Sequence, residues 1–338
     1  MGFRKPAGAV LGLGLVALAG VSAVKAAGGR LRNRHEPAID ALAAADHQLT
    51  HHRLPTADGG ELHVVEAGVP EGRPIVLMHG VTLQWWVWSA LITLLEDRYR
   101  LLAWDMRGHG ESRAGSDGVS LEATADDLAL LLDELDLRDA VLVGHSMGGM
   151  TMGHVVDRHR AAVNERVGAM YFVATSACAV EISPRRGDFR TVWGIAGLGL
   201  VTGLRLSRKA YPWRDDDLSA VLLRTVFGRN VSADMIDTVR KMLADMAPAS
   251  MVEAGNSLAQ HDVRRVLPFV DVPTAVVVGD ADRITPPGHA REIAELVPGA
   301  TLTVLPGVGH QIMQEMPSAL AAGIDGLGGV GGALVSAV

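Results

Sequence analysis

The sequence predicts an α/β fold: a mostly parallel, doubly wound sheet with helices on both faces and a largely helical insertion. Three observations carry that prediction. Short apolar, β-rich runs alternate with longer amphipathic stretches from about Leu62 to Ala174. Runs such as Val141-Leu142-Val143 are apolar without a break, as strands buried on both faces are. The alternation stops at about Ser176 and resumes at Pro273, so the segment between them is an insertion rather than part of the sheet.

Composition sets the outer limits. The chain has 338 residues, 48% hydrophobic and 20% charged, which suits one large domain with an insertion or two small ones. A formal net charge of -7 offers no basic field for nucleic acid. One cysteine, Cys178, excludes an intrachain disulfide framework and a cysteine-based zinc cluster. No His, Asp and Glu spacing points to a metal.

At the N-terminus, Ala7 to Val24 carries no charge and follows Arg4 and Lys5. It reads as a membrane anchor, just long enough to span; a signal peptide cut near Ala26, giving a secreted protein, and an unstructured Ala/Gly leader are the alternatives. If it spans, Lys25, Arg30, Arg32 and Arg34 outnumber Arg4 and Lys5, which favours a cytoplasmic location for the rest. Arg30 to Thr50 reads as a linker with a short helix, and His51-His52 as solvated.

The elements then follow in order. After the Asp58-Gly59-Gly60 turn, Leu62 to Ala67 alternates like an early strand. Pro74 to Met78 is a buried strand running into His79-Gly80-Val81-Thr82, and Trp88 to Glu96 a helix. Leu101 to Asp105 is a strand leading into Met106 to Ser112, and Leu121 to Leu135 a helix with one leucine stripe. Val167 to Ala174 is the next strand. In the insertion, Met235, Ile236, Val239, Met242, Leu243 and Met246 keep helical spacing, as core packing does, and Asp215-Asp216-Asp217 reads as solvated. Strand Thr274 to Gly279, helix Gly288 to Leu296, strand Thr301 to Leu305 and a helix from Pro317 complete the series, with a Gly-rich end expected to fray from Gly323. The domain division is 1–34 for the leader, 35–175 with 265–327 for the core, 176–264 for the helical cap and 328–338 for the tail.

The chemistry centres on Gly144-His145-Ser146-Met147-Gly148, a Gly-x-Ser-x-Gly turn between strand Val141–Val143 and a helix from Met147 to about His159. Small residues two places either side let strand and helix approach, while the helix N-terminus aims N–H groups at developing negative charge. A serine used for acyl transfer also needs a base and an orienting carboxylate. Candidates stand at strand ends: Asp280 and Asp282 after Gly279, and His310 after Gly309. His79 reads as a structural histidine bonded to a loop backbone, Arg107, His109 and Ser112 as loop braces, and His145 as needing no role. Trp88 reads as core, while Trp85 and Trp86 are candidates to line an acyl pocket.

From Leu54 to Leu327 the chain resembles the α/β-hydrolase-fold serine hydrolases, among them esterases, lipases and haloperoxidase-like enzymes with a helical cap. Five elements match in order: His79-Gly80, Asp105 to Ser112, Gly144 to Gly148, Gly279 to Pro286 and Gly309-His310. The resemblance implies Ser146 as nucleophile and His310 as general base and then acid, an imidazole suited to neutral pH by a reference pKa of about 6.5. It places the acid three residues after Gly279, at Asp282, and the oxyanion donors on the backbone of Val81 and Met147. Relatives that cleave epoxides or haloalkanes carry aspartate where Ser146 stands, which argues against both activities. The expected activity is cleavage of small carboxylic esters with apolar acyl groups, through an acyl-enzyme and without a cofactor. A cofactor-free perhydrolase, a C–C hydrolase and a non-catalytic binding module are the alternatives. The uncharged run Val192 to Val201 makes Trp193 and Leu198, with Trp85, the expected substrate contacts.

Overall fold

The computed structural model describes residues 22–180 and 213–328. Eight strands form one sheet: β1 Thr50–Pro55, β2 Glu61–Gly68, β3 Arg73–Met78, β4 Tyr99–Asp105, β5 Ala140–His145, β6 Val167–Val173, β7 Thr274–Gly279 and β8 Thr301–Leu305. Their spatial order is β1-β2-β4-β3-β5-β6-β7-β8, antiparallel for β1/β2 and β2/β4 and parallel from there on. The central strands are apolar throughout because both faces are covered. Ile75 and Leu77 of β3 pack with the helices Ser89–Leu95 and Pro317–Gly328, and Val76 and Met78 with Leu121–Glu134 and Met147–Arg158. Chain direction diverges between β3 and β5, which pair with Met78 opposite Gly144. The crevice at their carboxyl ends is therefore the switch point where such sheets bind ligands.

Thr50–Pro55 is a strand, beginning where the expected linker ends and containing the His51-His52 pair that was expected to be solvated. The segment Thr-His-His-Arg-Leu-Pro lacks apolar alternation because it is an edge strand, and only Leu54 is buried. Its polar side chains and terminal proline discourage further pairing. His52 bonds Glu66 at 2.8 Å and His51 bonds the buried His63 at 2.8 Å, so neither is simply solvated.

Three described helices of the insertion, Asp217–Leu223, Ala233–Asp245 and Pro248–Leu258, lie over the sheet's carboxyl edge. Asp216 caps the first by accepting from Ser219 N–H at 2.8 Å, and Ser232 caps the second by accepting from Met235 N–H at 3.1 Å. Residues 22–32 are helical, and the stretch that follows packs on this insertion: Ala233 N–H donates to Arg34 O at 2.8 Å, and Arg32 pairs with Asp215 at 3.2 Å. No helix among the described residues is long and apolar enough to cross a membrane, and residues 7–21 of the expected anchor lie outside them.

The last helix runs on to Gly328 instead of fraying from Gly323. Gly323 is a packing residue: a Cβ there would lie 2.2 Å from Oη of the buried Tyr171. Gly323→Ala is therefore expected to destabilise the protein by about 1–3 kcal/mol in chemical unfolding, as overpacking does. An unchanged midpoint would show that the helix end can lift away at no cost.

Candidate active site

Ser146 follows β5 with φ 52° and ψ -114°, a conformation rare for a residue with a side chain. Its turn closes only because the residues two places before and after it are glycines. A Cβ on Gly144 would lie 2.5 Å from Met152 Sδ, and one on Gly148 would lie 2.4 Å from Met78 O. Ser146 N–H donates to Val173 O at 3.0 Å and Gly148 N–H to His79 O at 3.1 Å, while Thr175 Oγ1 donates to Ser146 O at 2.7 Å. The serine is thus held from β6 on one side and β3 on the other.

Asp282 and His310 follow β7 and β8. Asp282 is 4% exposed, and its Oδ1 accepts from the N–H groups of Ile284 at 2.8 Å and Thr285 at 3.0 Å. Its Oδ2 accepts from Thr285 Oγ1 at 2.9 Å and from His310 Nδ1 at 2.8 Å. Because the carboxylate can only accept, His310 carries its proton on Nδ1 and leaves Nε2 with a free lone pair. Asp280, the other candidate, is exposed and instead accepts from Gly307 N–H at 2.6 Å. The geometry separates the two aspartates where spacing on its own left both standing.

Ser146 and His310 open onto one cavity of about 290 Å³. Gly80, Val81 and Thr82 form part of its floor, and Trp213, Val226, Val239, Leu243, Met251 and Leu258 of the insertion form its walls. The surface is mostly aliphatic. Among the described residues the backbone N–H groups of Val81 and Met147 meet no protein acceptor, which leaves both donors for a ligand oxygen. Trp85 does not line this cavity: its N–H donates to Asp105 Oδ1 at 2.8 Å, and its ring packs beside the core of that face. Among the described residues, the tryptophan that lines the cavity is Trp213. Trp193 and Leu198 lie outside the described residues.

Two residues matter here that sequence reasoning passed over. His145, expected to need no role, bonds His310 O through Nε2 at 2.9 Å, with ring centroids 4.7 Å apart. Since a carbonyl can only accept, the proton is on Nε2; burial, with His310 alongside, holds the ring well below the usual histidine range and so neutral. Glu315 is buried and accepts from Gly309 N–H, beside His310. A charged residue inside the run Ile312-Met313-Gln314-Glu315-Met316 was the available signal. His79 is bonded to backbone at both nitrogens, donating from Nδ1 to Gly80 O at 2.8 Å and accepting Met106 N–H on Nε2 at 3.0 Å.

Residues 73–315 match the family model for the alpha/beta hydrolase fold. The chain belongs to the α/β-hydrolase family. It is 31% identical to the non-heme chloroperoxidase CPO-A1 of Kitasatospora aureofaciens, over 76% of this chain and 91% of that one. It is 28% identical to a pimeloyl-[acyl-carrier protein] methyl ester esterase of Nitrosomonas europaea, over 79% and 99%. In structure it is similar to an esterase of Exiguobacterium antarcticum, with a TM-score of 0.70 at 19% identity, covering 83% of this chain and 100% of that one. This hydrolase has esterases and haloperoxidases among its relatives.

The loop after β4 is braced by a buried ion network. Arg107 contacts both oxygens of Asp127, at 2.6 and 2.7 Å, and Asp58 at 3.1 Å. Arg107→Met would leave Asp127 buried without its partner, and is expected to cost about 3–5 kcal/mol in urea unfolding. A loss under about 1 kcal/mol would mean that water reaches the network and replaces the guanidinium.

Proposed function

We propose that this α/β hydrolase cleaves carboxylic esters with apolar acyl groups by a Ser146–His310–Asp282 triad. The observation that carries the reading is the 2.8 Å bond to the buried Asp282 from Nδ1 of His310, which lines one cavity with Ser146. In the first half-reaction Ser146 Oγ attacks the ester carbon while His310 Nε2 takes its proton. The carbonyl oxygen gathers charge between the Val81 and Met147 N–H groups. His310 then protonates the departing alkoxide, leaving an acyl-enzyme. Water enters by the same route in reverse and releases the acid. Asp282 holds the imidazole with its proton on Nδ1 and stabilises the imidazolium formed in both halves. The aliphatic wall supports an apolar acyl group, since among the described residues that line the cavity there is no Lys, Arg, Asp or Glu.

A second reading shares the acyl-enzyme: a peroxide in place of water gives a peracid, as a cofactor-free perhydrolase would make. The name of the chloroperoxidase relative favours it.

The direct test is a fluorophosphonate probe with a panel of straight-chain esters. Ser146 is expected to be labelled, and Ser146→Ala to lose hydrolysis by several orders of magnitude while staying folded. Each buried methylene contributes about 0.8 kcal/mol, so kcat/KM should rise on the order of 100-fold from acetate to hexanoate. Met251→Asp, in the cavity wall, should flatten that rise. Unchanged turnover in a folded Ser146→Ala protein would end the proposal, and a preference for acetate with peroxide as acceptor would move it to the perhydrolase.

The two aspartates give an independent check. Asp282→Asn should lower kcat by about 10⁴-fold, because an amide in that place favours the wrong imidazole tautomer. Asp280→Asn, at an exposed loop brace, should leave most of the rate. The opposite ranking would transfer the acid role to Asp280.

A further inference from the structure

Glu315 ends the short helix Ile312–Glu315 and is 4% exposed. Its Oε2 accepts Gly228 N–H at 2.7 Å, and its two oxygens share Gly309 N–H at 3.0 and 3.1 Å. Gly309 immediately precedes His310, and Gly228 belongs to the insertion. The two backbones are pressed together at this point. Arg229 N–H donates to Gly307 O at 2.6 Å and His310 N–H to Val226 O at 2.9 Å. A Cβ on Gly309 would lie 2.3 Å from Gly228 N. Val226, at the same joint, lines the cavity with Ser146 and His310. One carboxylate therefore sits beneath the seam where the wall of the cavity meets the loop that carries His310.

The polar groups directed at this carboxylate favour its charge. They are the N–H groups of Gly309, Gly228 and Gln311 and the guanidinium of Arg224, which itself feels Arg34 and Arg283. Burial outweighs them and pushes the Glu315 carboxyl up to about 7. Protonation would place an O–H donor where N–H donors already converge, and one of those bonds would have to break.

We propose that Glu315 is a positioning residue for His310: its carboxylate seats the Gly309–His310 loop against Gly228 of the insertion, and protonation of that carboxylate unseats it. The inference rests on the ester-hydrolase reading. Both His310 and Glu315 must then be free of a proton for turnover, one to act as base and the other to hold the base in place.

The test follows Ser146-dependent hydrolysis of p-nitrophenyl hexanoate against pH, using the full chain as wild type, Glu315→Gln, Arg224→Gln and the double variant. In the wild type the acid limb of log kcat/KM should approach a slope of two. Glu315→Gln should lower the plateau by about 100-fold, as a displaced catalytic group does, mostly in kcat, and its limb should have a slope of one. Arg224→Gln removes a cation that favours the ionised carboxylate, so it should move the acid limb to higher pH. The double variant should lack that movement. A Glu315→Gln protein with the wild-type plateau and a two-proton limb would overturn the role, as would a shift from Arg224→Gln that persists in the double variant. If Glu315→Gln fails to fold, Arg224→Gln decides: an unmoved limb overturns the proposal. A wild type without Ser146-dependent turnover would overturn the ester reading itself, and this role with it.

Discussion

The close approach of strand and helix at Ser146 is the constraint on which the rest of the structure depends. Holding a side-chain-bearing residue at φ 52° costs on the order of 1–3 kcal/mol and persists only where the surroundings fix it. Here they do so through the sheet. The acceptor for Gly148 N–H is the carbonyl that follows β3, and the acceptor for Ser146 N–H ends β6. The parallel pairing of Met78 with Gly144 brings the first of these within reach, so a slip in that register would release the turn. The position of the serine is a property of the sheet rather than of its own loop.

His310 lacks support of that kind, because it follows β8, which ends the sheet and has a neighbour on one side only. His310 is fixed through its backbone instead. Its carbonyl accepts from His145, which is anchored in β5; its N–H reaches Val226 of the insertion; and the preceding N–H reaches Glu315. These contacts tie the histidine to the strand of the serine and to the cavity wall at once. The movement available to the wall near Val226 is therefore also movement of the imidazole.

What could be read from the sequence follows the same division. β7 falls where its apolar run places it, since a strand buried along its whole length advertises itself by composition, whereas β8, at the far edge with only Leu305 buried, was legible from its Thr, Val and Leu content. β1 escaped notice because it buries only Leu54 and its Thr, His and Arg side chains leave no apolar alternation to read. Ser146 was legible from its flanking glycines, a local steric demand. The choice between Asp280 and Asp282 was not settled by the residues themselves, as both follow the same strand and only the path of the loop decides which one meets His310. Glu315 was harder still. Its partner Gly228 is 87 positions away, and the burial of that contact depends on how the insertion folds back.

The loops around the site share one device, and it explains why buried carboxylates gather there. A loop over a sheet edge leaves backbone N–H groups that cannot enter a ladder, and burying them unpaired is costly. Asp105 takes the N–H groups of Trp85 and Glu111, Asp282 those of Ile284 and Thr285, and Glu315 those of Gly228 and Gly309. Each carboxylate accepts on both of its oxygens at once, which an amide of the same length, with a single acceptor oxygen, cannot do. The buried histidines work the other way. Burial lowers His79, His109 and His145 below the usual range, so they stay neutral and each donates to a carbonyl, of Gly80, Arg107 and His310 respectively, while His79 also accepts Met106 N–H. Negative charge is thus placed where loops must be gathered, and positive charge is kept off the imidazoles that only hold structure. Among the four, His310 is distinguished by having a carboxylate on Nδ1, the arrangement that lets a buried ring accept a proton without leaving an unpaired charge.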